Sequence, residues 1–301
     1  MGRAVGQREA AQAGPDAELA SAKVNLSLHV VGQRADGYHL LESLVAFTGE
    51  GDVVHFAASE RLSLTIDGPF ASGLESDPTN LVLRAAAALG VDACGIRLEK
   101  RLPVASGIGG GSADAAATLR GIMRRYQLSV PDDELDRIAL TLGADVPVCL
   151  RSRACFMAGI GERVETVGPL PDVGILLVNP RVAVATAAVF RELGLAARLA
   201  AGEEPGSPHP PLPAQWRDAA HFAEFITLCR NDLEAPAQRL APVIAEVLDR
   251  LRQETGCLVA RMSGSGATCF GLFPTREQAA AAGTRIAADH PGWWLMASQL
   301  R

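Results

Sequence analysis

The stretch Pro103-Val-Ala-Ser-Gly-Ile-Gly-Gly-Gly-Ser-Ala-Asp-Ala-Ala116 decides how this chain reads. Glycines at 107, 109, 110 and 111 leave a loop nearly bare of side chains, so its backbone N–H groups can turn toward one point. An alanine-rich helical pattern opens at Ser112, and a helix start adds unpaired N–H groups and the positive end of a dipole. Together these read as a seat for phosphate, and so for a nucleotide. Spelling removes three other phosphate motifs. A P-loop needs Lys after its last glycine, where Ser112 stands. The dinucleotide fingerprint and the protein-kinase glycine loop, begun at Gly107, both need glycine at 112. A turn without a ligand needs only one or two glycines, and three in a row are entropically costly.

Outward from this loop, Ile96–Lys100 reads as a strand leading in, and Ser112–Tyr126 as a helix with Arg120, Arg124 and Arg125 near its end. Val24–Val31, Val53–Ala57 and Leu62–Ile66 read as strands, and Asn80–Leu89 as a helix stopped by Gly90. Pro131 opens another helix that stops at Gly143. Gly168-Pro-Leu-Pro171 marks a boundary, giving an N-terminal domain over 21–170 and a C-terminal domain over 171–301. In the second half Ile175–Val178 is a buried strand and Pro242–Arg252 a helix. Val259–Arg261, the turn Ser263-Gly-Ser-Gly266 and Ala267–Phe273 form a strand pair. Thr275 and Gln278 spell a capping box. Gly202–Pro213, with five prolines, is expected to be a surface loop or disordered insertion away from the chemistry. Strands and helices cluster without strict alternation, which favours α+β over a doubly wound sheet.

The chain has 301 residues, 48% of them hydrophobic, and a net charge of −6 without a basic run. That supports one large or two ordinary cores and argues against nucleic acid or an anionic membrane as main partner. Six scattered cysteines with no C-x-x-C pair read as reduced core residues of a cytoplasmic protein. No apolar run reaches the length of a membrane helix. Residues 1–20 lack the apolar block of a signal peptide and are expected to be a flexible tail.

Four other segments could carry chemistry. Lys23 stands at the head of the first strand, either as a partly buried cation or as an edge lysine that blocks aggregation. Tyr38 and His39 follow the turn Asp36-Gly37; they could stack on a flat ring and bond its edge, or simply pack a hairpin corner. Asp145, in Gly143-Ala-Asp-Val-Pro147, is a carboxylate among small and apolar neighbours that either has a cationic partner or caps a turn. Gly264, Ser265 and Gly266 suggest a second close backbone approach or a plain hairpin loop.

These pieces together resemble a family. Residues 103–112 resemble the second motif of the GHMP kinases, the superfamily of galactokinase, homoserine kinase, mevalonate kinase and phosphomevalonate kinase. Ala22-Lys-Val-Asn-Leu26 is similar to their first motif and Met262-Ser-Gly-Ser-Gly-Ala267 to their third. Arg34–Ser43 and Gly143–Pro147 narrow the resemblance to the branch that acts on a cytidine-diphosphate-linked methylerythritol in the non-mevalonate isoprenoid route. A homoserine or mevalonate kinase would have no need of Asp-Gly-Tyr-His, and a non-catalytic relative would be expected to lose Lys23 or Asp145. The resemblance implies an N-terminal domain like ribosomal protein S5 domain 2 and a ferredoxin-like C-terminal domain. It implies ATP on Pro103, Val104, Ala105, Ser106, Gly107, Ile108, Gly109, Gly110, Gly111, Ser112 and Ala113. Mg²⁺ would accompany the nucleotide, with Ser112 as a ligand. Lys23 and Asp145 would be the catalytic pair. Asn25, Tyr38, His39, Asp145, Thr186 and Phe190 would bind the cytidine diphosphate substrate, with Tyr38 and Phe190 sandwiching the base. The Phe190 match is looser, because Ala187 stands where the family often has proline. No obligate protein partner is implied.

Overall fold

A computed structural model describes residues 16–200 and 202–301. The first sheet holds β1 (Ala17–Asn25), β2 (His29–Gln33), β3 (His39–Ala57), β4 (Ser63–Asp67), β5 (Gly95–Glu99), β6 (Cys155–Gly159) and β7 (Arg163–Thr166). Its organiser is β3, nineteen residues long and free of proline. Val45 faces Asn25 of β1 and Cys155 of β6, while Val53 faces Leu19 of β1 and Glu99 of β5. β3 therefore carries β2 and β1 along one edge and β6 and β5 along the other. The sequence showed only its last five residues, because Gly49 and Gly51 interrupt the apolar pattern. Gly51 is needed there: a Cβ would lie 2.0 Å from the Ala20 carbonyl oxygen.

Helices α1 (Leu81–Ala88), α2 (Gly110–Tyr126), α3 (Asp132–Leu142) and α4 (Val146–Arg151) complete this half. Alanines 113 and 115–117 of α2 are buried, so the helix lies close to the sheet. At Gly121 an added Cβ would be 2.2 Å from the Phe56 ring. The core formed here joins Phe47, Phe56, Ile96 and Leu98 to Leu119 and Ile122. Burying six such side chains contributes on the order of 10 kcal/mol. α2 begins at Gly110, two residues ahead of the expected Ser112, so two of the glycines belong to its first turn.

The chain leaves the first sheet after Thr166 and enters the second at Gly174, with β8 (Gly174–Asn179). There follow α5 (Thr186–Leu193), α6 (Leu195–Ala200), α7 (Ala219–Leu228), α8 (Glu234–Leu240), α9 (Val243–Arg252), β9 (Val259–Met262), β10 (Cys269–Phe273), α10 (Arg276–Asp289) and β11 (Trp294–Gln299). The antiparallel order β11-β8-β10-β9 is ferredoxin-like. Every residue of β8 is buried, as in a strand covered on both faces. One face packs on α8, α9 and α10 through Leu176, Val178, Val247 and Ile286. The other shares a core with the first sheet: Val24, Leu26 and Leu44 meet Ile175, Leu177 and Phe270. Among the described residues no helix is long and apolar enough to cross a membrane.

Two expectations are corrected. The strand read over Val24–Val31 is two strands: Leu26 still donates its N–H to the Leu44 carbonyl of β3 at 2.8 Å, but Leu28 turns away and bridges Asn231 in the second half. The tail read over 1–20 includes four residues of β1; Ala20 is fully buried, and Arg120 donates to Glu18 and to the Leu19 carbonyl. Residues 1–15 lie outside the described residues. The proline-rich segment is an irregular strap tied to the sheet. The buried His209 takes a backbone N–H bond to Glu42 Oε2 at 2.7 Å and pairs its Nε2 with Ser27 Oγ at 2.8 Å. The rest of 202–213 is exposed or half-buried and none of it lines the cavity beside the glycine loop, as expected of a surface loop.

Candidate active site

Three segments far apart in the chain lock together around the glycine loop. The Lys23 N–H donates to the Ile108 carbonyl at 3.0 Å. The Thr268 N–H and hydroxyl both donate to the Ser106 carbonyl, at 3.2 and 2.6 Å. Ser263 Oγ accepts the Asn25 N–H at 3.1 Å and donates to the Gly107 carbonyl at 3.3 Å. Gly107 and Gly109 have φ of +76° and +65°, a region that favours glycine. At Gly107 a Cβ would also strike the Gly266 carbonyl oxygen at 2.5 Å. The third glycine motif thus has a packing reason as well as a site reason: it is the surface on which the loop rests.

The loop opens onto a cavity of ≈ 680 Å³, within the range of small-molecule sites. Leu74, Leu81, Leu98 and Pro103 line it, together with Lys23, Asn25 and Asp145. Of the loop residues expected to hold ATP, Pro103 to Gly107 and Gly109 to Ser112 line it. The side chains of Ile108 and Ala113 are buried in the two cores instead. The start of α2 faces the cavity, with Gly109 as its N-cap.

Lys23 Nζ and Asp145 Oδ1 are 2.8 Å apart, although 122 residues separate them. The lysine side chain is 6% exposed and the aspartate 39%, so the pair sits at the cavity wall with its carboxylate facing out. Two local features aim it. The β1–β3 register slips between Ser21 and Lys23, and a bulge re-aims the residue that follows. Asp145 is the N-cap of α4, yet its side chain makes no capping bond, which leaves the carboxylate to Lys23 and the cavity. Burial opposes the Lys23 charge, but the adjacent Asp145 charge and hydrogen bond outweigh it and hold its pKa above the usual lysine value. The edge-lysine and turn-cap alternatives for these residues are set aside by this contact.

Further along the cavity, Thr186 Oγ1 pairs with Ser265 Oγ at 2.8 Å, and both residues line the wall together with Phe190. Asn25 is buried, and its Nδ2 donates to Ser43 Oγ at 2.8 Å. His39 lies flat on Phe190, ring centroids 4.5 Å apart, and burial lowers its pKa. Tyr38 is 62% exposed. In this form the ring on Phe190 is that of His39, where the sequence expectation put a sandwich with Tyr38.

Sequence reasoning missed one cluster. Lys100 Nζ donates to Asp52 Oδ2 at 2.5 Å and to Asp114 Oδ2 at 2.6 Å, and all three residues are buried. Burial raises the Asp114 pKa, Lys100 opposes and Asp52 adds to the rise. Asp114 Oδ1 is buried with no hydrogen-bond partner. A signal was present: Asp114 is the single charged residue between Arg101 and Arg120.

Comparison with known proteins agrees with this geometry. Residues 80–153 match the GHMP kinases N terminal domain and residues 214–291 the GHMP kinases C terminal domain. The 4-diphosphocytidyl-2-C-methyl-D-erythritol kinase of Cereibacter sphaeroides is 52% identical over 281 residues, covering 92% of this chain and 96% of the relative. That of Ruegeria pomeroyi is 54% identical with the same coverage. A crystal structure of 4-(cytidine 5'-diphospho)-2C-methyl-D-erythritol kinase superposes with a TM-score of 0.70 at 33% identity, covering 94% of this chain and 98% of that one. Homoserine kinase from Cytophaga hutchinsonii, at 19% identity and a TM-score of 0.63 over 96% of both chains, shares the fold. The glycine cradle, the lysine–aspartate pair beside it and this likeness over nearly the whole chain place the protein in the GHMP kinases, within the 4-diphosphocytidyl-2-C-methyl-D-erythritol kinase family.

Proposed function

We propose that this chain moves the γ-phosphoryl group of ATP to the 2-hydroxyl of 4-diphosphocytidyl-2-C-methyl-D-erythritol. The observation that carries the reading is the Lys23–Asp145 pair at the wall of the cavity into which the glycine cradle opens. The triphosphate lies on the N–H groups of the loop and of the α2 start, and the adenine lies against the apolar lining residues Leu74, Leu81 and Leu98. The substrate hydroxyl oxygen attacks the γ-phosphorus, the bond to the β–γ bridging oxygen breaks and ADP leaves. Asp145 accepts the hydroxyl proton. The Lys23 ammonium holds the Asp145 carboxylate in place through its 2.8 Å hydrogen bond and offsets charge on the transferring group. Positioning and charge neutralisation carry most of such a reaction.

The oxygen donors present suit a hard cation such as Mg²⁺: Ser112 and Asp145 both line the cavity, and the Ser112 hydroxyl lies 3.9 Å from where a Cβ on Gly143, two residues before Asp145, would point. The ion neutralises phosphate charge when bound. Asn25, Thr186 and His39 read the cytidine diphosphate end. The neutral His39 ring carries one donor and one acceptor for a base edge. Phe190 offers the stacking face, with Tyr38 as the exposed residue able to close over the base. The test is direct. Purified protein with MgATP is given the cytidyl substrate, homoserine or mevalonate, and the product is read by phosphorus NMR. A new phosphate ester on the cytidyl substrate alone is expected. Transfer to homoserine or mevalonate alone overturns the substrate, and ATP binding without transfer to any of them overturns the reaction.

A further inference from the structure

The Asp52–Lys100–Asp114 cluster joins the two ends of the cradle, and Lys100 and Asp114 reach the wall of the same cavity. Asp52 Oδ1 accepts the N–H groups of Arg101 and Leu102, at 2.5 and 2.8 Å, the last residues before the glycine loop. Its other oxygen holds Lys100, and Lys100 holds Asp114 in the first turns of α2, just after the loop. A continuous chain of charged hydrogen bonds therefore spans the two ends of the loop. It also explains one glycine: a Cβ at Gly110 would lie 3.2 Å from Lys100 Nζ. Two carboxylates share one ammonium, an arrangement with a surplus buried acid. Burial of such a surplus is expensive, so it is poorly explained as a device for fold stability.

We propose that Asp52, Lys100 and Asp114 act as a positioning clamp that fixes the mouth of the nucleotide cradle. The clamp rests on the reading of this cavity as the ATP site. Lys100 joins the strand end to the helix start, and Asp114 is the member that transmits its hold to the helix. Removing Asp114 leaves a balanced Asp52–Lys100 pair, so the fold is retained while the helix start is freed from the loop's other end.

The experiment compares wild type, D114A and D114N in three measurements: calorimetric titration with a non-hydrolysable ATP analogue and Mg²⁺, steady-state kinetics, and thermal melting. D114A is expected to weaken the analogue by about tenfold and to raise KM for ATP in step. Its kcat, its KM for the phosphoryl acceptor and its melting temperature stay near wild type. D114N, whose amide oxygen still accepts from Lys100, is expected to restore most of the lost affinity. Unchanged affinity in D114A overturns the clamp. So does a collapse of D114A in melting, which would make the contact a prop of the fold, and so does D114N behaving like D114A. Wild-type protein that binds no analogue would instead remove the nucleotide reading itself.

Discussion

Replacing Asp145 by Asn removes a proton acceptor and a charge while keeping the shape, and its effect can be sized from the structure. A unit pair at 2.8 Å would attract by ~6 kcal/mol at an effective dielectric of about 20. Asp145 is 39% exposed, so water screens the pair and the net worth falls to about 1–3 kcal/mol. D145N is thus expected to lower the melting temperature by ~2–10 °C. Loss of the base is expected to lower kcat by ~10²–10⁴-fold. KM for ATP is expected to stay within about threefold, because the cradle grips the triphosphate through backbone groups that the substitution does not touch. Coupled ADP-release kinetics and differential scanning calorimetry measure both. The raised Lys23 pKa adds a sign. The pair's stabilisation is fully present below the ordinary lysine value of 10.5 and is lost as pH rises through the folded-state value. The difference in melting temperature between wild type and D145N is therefore flat near neutral pH and narrows in strong alkali. A D145N protein with kcat within about tenfold of wild type would refute the base assignment.

Glycine substitutions divide by position. G107A meets the Gly266 carbonyl at 2.5 Å with φ at +76°, and is expected to lose nucleotide binding and soluble expression together. G111A meets only Leu81 Cδ1 at 3.7 Å and is expected to melt within a few degrees of wild type, by circular dichroism. F190A removes the ring on which His39 lies, and is expected to raise KM for the cytidyl substrate by about tenfold with KM for ATP unmoved, in steady-state assays. His29 is buried, and desolvation, with Arg230 and His209 nearby, lowers its pKa to about 4. Because the unfolded ring takes a proton first, stability is expected to fall as pH drops from about 6.5 to 4, by on the order of 3 kcal/mol, and H29Q is expected to flatten that slope in urea titrations.

What the sequence made legible was whatever local chemistry determines. The helix read over Asn80–Leu89 is α1, with Asn80 as its N-cap accepting the Val82 N–H at 2.9 Å, and Thr275 of the expected capping box accepts the Gln278 N–H at the head of α10. Lys23 and Asp145 could be named as candidates from residue type, but nothing in a spacing of 122 residues could show a 2.8 Å contact. β3 stayed hidden because strand signals are read in short windows, and its two internal glycines look like a turn until β1 is laid beside them. The strap at 202–213 is the surface loop expected, but its anchoring was hidden for a related reason. Five prolines correctly exclude helix and sheet interior, yet its anchoring depends on His209 reaching Ser27 and Glu42, and those partners lie 182 and 167 residues away.

The three adjacent glycines now have separate causes, and this changes what the motif means. Gly109 adopts φ +65°, and its would-be Cβ lies 3.3 Å from the Lys23 side chain. Gly110 stands against Lys100 Nζ, while Gly111 faces open cavity apart from one leucine methyl. Two lysines therefore press on consecutive residues of one helix start, each held by carboxylates from elsewhere in the fold. An anion seated there meets the backbone dipoles of the helix start, with the paired Lys23 ammonium at the same cavity wall. Those pairings matter, because an unpaired lysine so near would bind phosphate tightly in every state, including the product. The Lys23 ammonium, already committed to Asp145, supplies field without a further strong grip, which suits a site that must release ADP on each turn, while Lys100 joins Asp52 to Asp114 across the ends of the loop.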